Sequence, residues 1–388
     1  MNNKEFTEKY YVNRKNSNCL KWDEGLAEYH DDEIVPVFVA DMDFRCPESV
    51  VEGLRSLVDF GVFGYAHIGD EYYNEWIKWN KDHHNVEYKK EWVRFSLGAV
   101  SGIYHTINAF TKEGDAVMIM LPSYPPFKGS VLKTNRKLVE TSLIDHNGHF
   151  EMDFEDIENK VAKENVKMIV LCSPHNPIGR VWTKEELTRL LDIAMKYDVL
   201  VLSDEVHQDL LMPGFKHSPI LSMDEKYHSH LIELNACAKT FNLAQLSHSH
   251  VLIADEKLRA IYDEYTGYHH IGSAKYLNAM GSYFAYKGGA KWLEGVLGVV
   301  YENYLYVKEK LTPYNIEVTD LEGTYLVFVN LENVLKGRDV HDFAIKTCKF
   351  LPNFGDTFGE DYASWVRLNL ATSKENIEKV VNSIINNI

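Results

Sequence analysis

Lys239, Asp204 and Asn176 have different chemistries but occupy the same kind of place in the chain. Lys239 follows the apolar run HLIELN in HLIELNACAKTFNLAQL, Asp204 ends VLVLSD, and Asn176 follows KMIVLC in LCSPHNPIGR. Each polar cluster lies where a β-branched apolar run stops and a turn begins, the pattern of a strand end. Three such ends carrying a lysine, a carboxylate and an amide match the needs of pyridoxal phosphate. The lysine forms a Schiff base with the aldehyde, the carboxylate keeps the pyridine nitrogen protonated, and the amide donates to the ring oxygen. Singly, each residue is more often a surface charge or a turn former. His207, three residues after Asp204, is expected to join Asn176 at the ring oxygen.

The same cofactor needs backbone donors for its phosphate, and helix starts supply them. In FSLGAVSGIYHTINAF a small-residue turn around Gly98, Ala99 and Val100 opens into a helical pattern. A flat cover for the ring is expected from Tyr124 in LPSYPPF, where Pro122, Pro125 and Pro126 stiffen the loop. Arg367 is a lone arginine in the apolar strand pattern WVRLNLA. A buried guanidinium is costly unless paired, so it should meet a carboxylate, either the substrate's or a protein Asp or Glu. Packing of Lys239 beside a cationic ring should lower its pKa, as an imine-forming base requires. His248 and His250 alternate on a strand without an evident third ligand, which argues against zinc. His83 and His84 read as a solvated pair, and Gly288–Gly289 lacks the strand-turn-helix context of a nucleotide loop.

These residues need a scaffold, and the centre of the chain predicts one. Strands are expected at 117–121, 167–172, 199–204, 230–235 and 250–254, with amphipathic stretches between them. Thr183 and Glu186 form a capping-box pattern ahead of Leu187, Leu190, Leu191 and Ala194. Such alternation predicts an α/β fold with a mostly parallel sheet, whose ligands bind beyond the carboxyl ends of the strands. Further on, KWLEGVLGVVYENYLYVKEKL predicts a long helix, and IEVTD, TYLVFVNL and WVRLNLA predict strands of a smaller α+β unit. The expected division is a large cofactor-binding domain at 46–285 and a small C-terminal domain at 286–388. Residues 1–45, polar and weakly periodic, are expected to pack on the small domain and the active-site mouth.

Across 388 residues, 41 basic and 57 acidic side chains leave a net charge of −16. That sign disfavours nucleic acid and anionic membrane as partners. MNNKEFTEKYY lacks the apolar core of a secretory signal, and no apolar run is long enough to span a bilayer. Five scattered cysteines without C-x-x-C spacing suggest reduced thiols in a cytoplasmic protein.

The motifs KWD (21–23), VADMDF (39–44), FGYAHIGDEYYNEWIKW (63–79), SPHNPIGRVWTKEEL (173–187), SDEVHQDL (203–210), AKTFNL (238–243), EGTYL (322–326) and VRLNLA (366–371) together resemble a known family. It is that of fold type I pyridoxal phosphate enzymes in the class I/II aminotransferase superfamily. KWD with VADMDF points within it to the MalY/PatB-like branch of cystathionine β-lyases and C-S lyases. The resemblance implies an aminotransferase-like fold type I and a homodimer with shared active sites. It implies that Lys239 holds the cofactor and acts as catalytic base, that Asp204 meets the ring nitrogen, and that Asn176 and His207 meet the phenolic oxygen. Tyr124 would stack on the ring, the Ala99 and Val100 amides would bind phosphate, and Tyr65 would reach the phosphate of the other subunit. Arg367, with Asn176 and Tyr124, would bind a small amino-acid substrate. The implied reaction is β-elimination from L-cystathionine or a related cysteine S-conjugate. An aminotransferase and a weakly catalytic, cofactor-binding regulatory protein are the alternatives. Two positions depart from the pattern: Ala236 stands where a phosphate-contacting serine is usual, and Gln245 where glycine is usual.

Overall fold

The structure, a computed structural model, describes residues 1–388. Its main sheet has seven strands: β1 Val93–Ser96, β2 Ala116–Leu121, β3 Lys137–Ser142, β4 Val166–Cys172, β5 Leu200–Asp204, β6 Leu231–Asn235 and β7 Ser249–Leu252. Their spatial order is β1-β7-β6-β5-β4-β2-β3. Strands β6, β5, β4, β2 and β3 run parallel, and β7 is antiparallel to both of its neighbours. All five expected strands are present. The two that were not foreseen lie at the sheet's edges. β3, KLVETS, buries only Val139 and Thr141, so its polar outer positions mask its strand character. β1 is a four-residue segment with an arginine in it.

Both faces of the sheet are covered, which explains the near-continuous apolar runs. Val117, Ile119, Val170, Leu202, Ile232 and Val251 point to one face, beneath Ile103 and Ile107 of the helix Ala99–Phe110 and Phe127 and Val131 of the helix Pro125–Lys133. Met118, Ile169, Leu171, Val201 and Leu231 point to the other, toward Leu187, Leu190, Leu191 and Ala194 of the helix Lys184–Lys196. The expected capping box starts that helix, with Glu186 N–H donating to Thr183 Oγ1 at 3.1 Å and Thr183 N–H to Glu186 Oε2 at 2.8 Å. A cap of this kind contributes about 1 kcal/mol.

A second sheet, β8 Glu317–Val318, β9 Leu326–Asn330, β10 Asn353–Phe354 and β11 Trp365–Asn369, is antiparallel in the order β8-β9-β11-β10. The expected long helix runs from Ala290 to Leu311 and buries Trp292, Val296, Val299, Val300, Tyr304 and Val307 at helical spacing. The N-terminal helix Asn3–Tyr10 docks on it, Asn3 Nδ2 donating to Gly298 O at 3.1 Å. Val35–Pro36 then pairs in parallel with Phe350–Leu351, which leads the chain toward the groove between the two sheets. No helix is long and apolar enough to cross a membrane.

Candidate active site

Register brings the polar strand ends together. Cys172 is paired with Asp204, and Asp204 with Leu234, so the segments carrying Asn176, Asp204 and Lys239 leave the sheet side by side. They line a cavity of about 280 Å³. Its wall includes Gly98, Ala99, Val100, Ser101, Tyr124, Asn176, Asp204, His207, Ala236, Lys239 and His248.

One flank is built for an anion. Gly98 has φ +87°, a conformation costly for any residue with a Cβ, and the turn it makes starts the helix Ala99–Phe110. No side chain caps the helix, so its first amides and the positive end of its dipole face the cavity.

The other groups are matched to a cationic heteroaromatic ring. Asp204 is 3% exposed and accepts only the Val206 N–H, at 3.3 Å. Burial pushes its carboxyl up to about 6, against the opposing pull of the Val206 amide and the Lys239 charge. A buried carboxylate without a hydrogen-bonded cation suits a protonated pyridine nitrogen. His207 is buried with Nδ1 unpartnered, and burial, with the nearby Lys239 and Arg367 charges, holds it far below the ordinary histidine range. Asn176 Oδ1 accepts from Arg367 Nη1 at 2.8 Å, which leaves its NH2 without a protein acceptor. Tyr124 begins the helix Pro125–Lys133 and is braced edge-on by Phe127, ring centroids 5.7 Å apart.

Lys239 Nζ donates to Ala40 O at 2.6 Å. Burial and then the Arg367 charge bring its ammonium down to about 8, with Asp41 and Asp204 opposing. The amine is therefore partly neutral near physiological pH, as a nucleophile for an aldehyde must be. The orphaned His207 nitrogen, the unpaired Asp204, the uncapped helix start and the low-pKa Lys239 together fit pyridoxal phosphate.

Arg367 is 4% exposed. Nη1 and Nη2 donate to Asn176 Oδ1 and to Asn353 Oδ1 (2.5 Å), the guanidinium lies 5.0 Å over the Phe358 ring, and Nε has no partner. Of the two carboxylates expected for it, the protein Asp or Glu is ruled out. Burial pushes its pKa down to about 10.

Tyr65 does not join these residues within the chain. It is fully exposed between the helices Glu48–Phe60 and Asp70–His84, in a separate groove with Phe60, Val62, Phe63 and Tyr276. Ala236 presents only a methyl to the cavity, and Gln245 is exposed in a separate groove with Arg14 and Asp41, so its side chain does not replace the missing hydroxyl. The reading of His83 and His84 as solvated is corrected for His84. Its buried ring meets Asp209 Oδ1 at 2.7 Å, and Asp209 Oδ2 accepts from Thr240 Oγ1, the neighbour of Lys239, at 2.7 Å.

The VADMDF and KWD motifs turn out to be one interlocked unit. Val39 has φ +49°, rare for a β-branched residue. The turn presents Ala40 O to both Lys239 and the Tyr325 hydroxyl, the latter at 2.8 Å. Asn369 Nδ2 donates to Val39 O and Asp41 O at 2.7 and 2.6 Å, and Asn242 Nδ2 to Met42 O and Phe44 O at 2.9 and 2.8 Å. Lys21, fully buried, reaches Asp43 at 3.1 Å; Trp22 Nε1 donates to Asp43 at 2.9 Å, and Arg14 meets Asp41 at 2.7 Å. Sequence inspection had marked EGTYL, VRLNLA and AKTFNL without identifying Tyr325, Asn369 and Asn242 as the residues that hold this segment.

The model of the family "aminotransferase class I and II" matches residues 39–384. Cystathionine β-lyase PatB of Bacillus subtilis (strain 168) is 29% identical over 374 residues, covering 95% of this chain and 97% of that protein. Among solved structures, cystalysin from Treponema denticola, which contains a pyridoxal 5'-phosphate cofactor, is 32% identical with a TM-score of 0.92, covering 97% of this chain and 96% of that one. The PLP-bound putative aminotransferase from Clostridium difficile 630 is 33% identical with a TM-score of 0.92, covering 97% and 98%. Matches of this length and closeness, on a cavity already suited to the cofactor, mean that the chain belongs to the class I and II aminotransferase family of pyridoxal phosphate enzymes.

Proposed function

We propose that the protein is a pyridoxal phosphate-dependent C-S lyase. It takes L-cystathionine or a related cysteine S-conjugate and, with one water, releases a thiol, pyruvate and ammonia. The observation that carries this is one cavity that holds Lys239, Asp204 and Asn176, with a carboxylate-free Arg367 bonded to Asn176 behind it and Ala40 of the latched segment Val39–Asp43 in its wall. The likeness of almost the whole chain to a cystathionine β-lyase supports the choice of reaction.

When bound, pyridoxal phosphate supplies an electron sink conjugated to the substrate's α-carbon. It would be held by Lys239, Asp204, Asn176, His207, Tyr124 and the Ala99 and Val100 amides. Arg367 receives the substrate carboxylate on the guanidinium edge that faces Asn176 and Asn353. Lys239 Nζ, with its pKa brought down to about 8, takes the Cα proton and can return one to the departing sulfur. Asp204 holds the proton on the ring nitrogen. Ala40 O steadies the Lys239 amine while it is free.

The end of the helix Glu48–Phe60 and the loop beyond it expose Phe60, Val62, Phe63 and Tyr65 together, a contiguous apolar stretch of the kind that marks an interaction surface. It supports a homodimer in which Tyr65 reaches the phosphate of the other subunit's cofactor. Five unpaired cysteines, four of them buried, suit a reducing cytoplasm.

Incubation with L-cystathionine and no 2-oxo acid tests the reaction. Pyruvate, ammonia and thiol should appear in equal amounts over many turnovers. Product that appears only when a 2-oxo acid is supplied, with the cofactor collecting in its amine form, would assign the protein to the aminotransferases. Cofactor binding without turnover on either route would leave a regulatory role.

A further inference from the structure

His248 and His250 remain outside every role assigned so far. Their alternation puts both rings on one side of β7, where each Nε2 lies 2.6 Å from the Tyr72 hydroxyl. A single hydroxyl carries one proton, so it can donate to only one of them.

The neighbours decide which. Asn235 Nδ2 donates to Glu233 Oε1 at 3.1 Å, and Tyr88 donates to the same oxygen. Asn235 therefore turns Oδ1 toward His250 Nδ1, at 2.8 Å. That oxygen can only accept, so His250 carries its proton on Nδ1, and its Nε2 is a lone pair that takes the Tyr72 proton. Tyr72 must then accept from His248, whose proton is held on Nε2. The Nδ1 of a neutral His248 is left as a bare lone pair with no protein partner.

The sheet says where this lone pair belongs. Ser249 is paired with Ser96, so His248 and Gly98 emerge beside each other at the uncapped helix start. Asp204 leaves the sheet two strands away, roughly 10 Å at the usual strand spacing. His248 is 3% exposed and lines the same cavity wall as Ala99, Val100, Ser101 and Ala236. Ala236 is the position that offers a methyl in place of a hydroxyl.

We propose that His248 is a further cofactor contact, holding the phosphate through Nδ1 and sharing one proton with it. This rests on the pyridoxal phosphate reading of the cavity. Amides of the helix start take the unprotonated oxygens, and Nδ1 completes the cup that Ala236 leaves short. A phosphate monoester loses its second proton near pH 6 in solution. A lone pair held against it accepts from the protonated oxygen and cannot donate to the dianion, which keeps a proton on the shared line to higher pH. Burial holds the ring at about 4 without an anion, consistent with a neutral resting state. The ionisable groups facing His248 are Tyr72 from the helix and His250 from its own strand, while Phe95 is apolar. The helix start adds none, and the rest of the cavity wall contributes Tyr124, Cys172, Asp204, His207 and Lys239.

The experiment is phosphorus NMR of the holoenzyme between pH 6 and 9, with cofactor retention measured by dialysis. His248→Gln keeps a polar group near Tyr72 but loses Nδ1. The wild-type resonance should stay at a protonated position above pH 7, and the variant's at the dianion position throughout, with cofactor lost roughly tenfold faster. Tyr72→Phe frees the tautomer, so that a neutral ring can donate from Nδ1. It should retain the cofactor yet move to the dianion position. A His248→Gln resonance and retention equal to wild type would overturn the inference. Failure of the wild-type protein to bind pyridoxal phosphate would overturn instead the functional reading beneath it.

Discussion

Replacing Arg367 with methionine should separate binding from folding. The guanidinium is 4% exposed and meets only two amide oxygens and an aromatic face. Burial lowers its pKa to about 10 from a usual value above 12, which corresponds to about 3 kcal/mol against the charged form. On the proposed function, a ligand offsets that penalty. A substrate carboxylate gains two charge-assisted hydrogen bonds, each contributing about 1.5–3 kcal/mol. Their loss should raise KM by about 10² to 10⁴ at 1.4 kcal/mol per tenfold. Folding responds differently, because removing an uncompensated charge favours the variant. Leaving Asn176 and Asn353 without their donor offsets it by about 1–3 kcal/mol per oxygen. Urea denaturation should therefore place the variant between about 1 kcal/mol above and about 3 kcal/mol below wild type. The assay is steady-state kinetics with L-cystathionine beside that denaturation curve. A variant destabilised by several kcal/mol with an unchanged KM would refute the reasoning and make Arg367 a structural clamp.

In cofactor-free protein, Asp204 holds its proton to about pH 6 when folded, against about 4 when unfolded. Its stabilising contribution is present below pH 4 and is lost as pH rises to 6, by about 3 kcal/mol. Asp204→Asn should remove that slope and stabilise the cofactor-free form at pH 7; equal slopes in the two proteins would contradict the assignment. Lys21→Met breaks a buried pair with Asp43 and should cost about 3 kcal/mol, since Trp22 and Arg14 still serve the carboxylate. An equilibrium denaturation change below about 1 kcal/mol would mean that the latch is dispensable. Mixing Tyr65→Phe with Lys239→Ala subunits should restore one intact site per hybrid dimer, about a quarter of wild-type activity under random pairing. Activity no higher than the mean of the two parents would exclude a shared site.

Local chemistry was legible in the sequence because strand ends, caps and apolar runs are short-range patterns. Lys239, Asp204 and Asn176 declared themselves by residue type at the end of a β-branched run, and the five central strands and the Thr183 cap followed from periodicity. The edge strand β3 escaped because partial burial removes the pattern that marks a strand. What only the tertiary structure decided are meetings between residues far apart in the chain. Ala40 O lies against Lys239 across 199 positions, Arg367 reaches Asn176 across 191, and His248 shares the Tyr72 hydroxyl across 176. No local pattern encodes such pairs, because the packing of whole elements sets which backbone carbonyl or ring nitrogen faces which partner. The protein partners of Arg367 are two amide oxygens, of Asn176 and Asn353, and not the Asp or Glu that linear inspection allowed. His84 looked solvated for the same reason: its burial depends on Asp209, which belongs to the loop after a different strand.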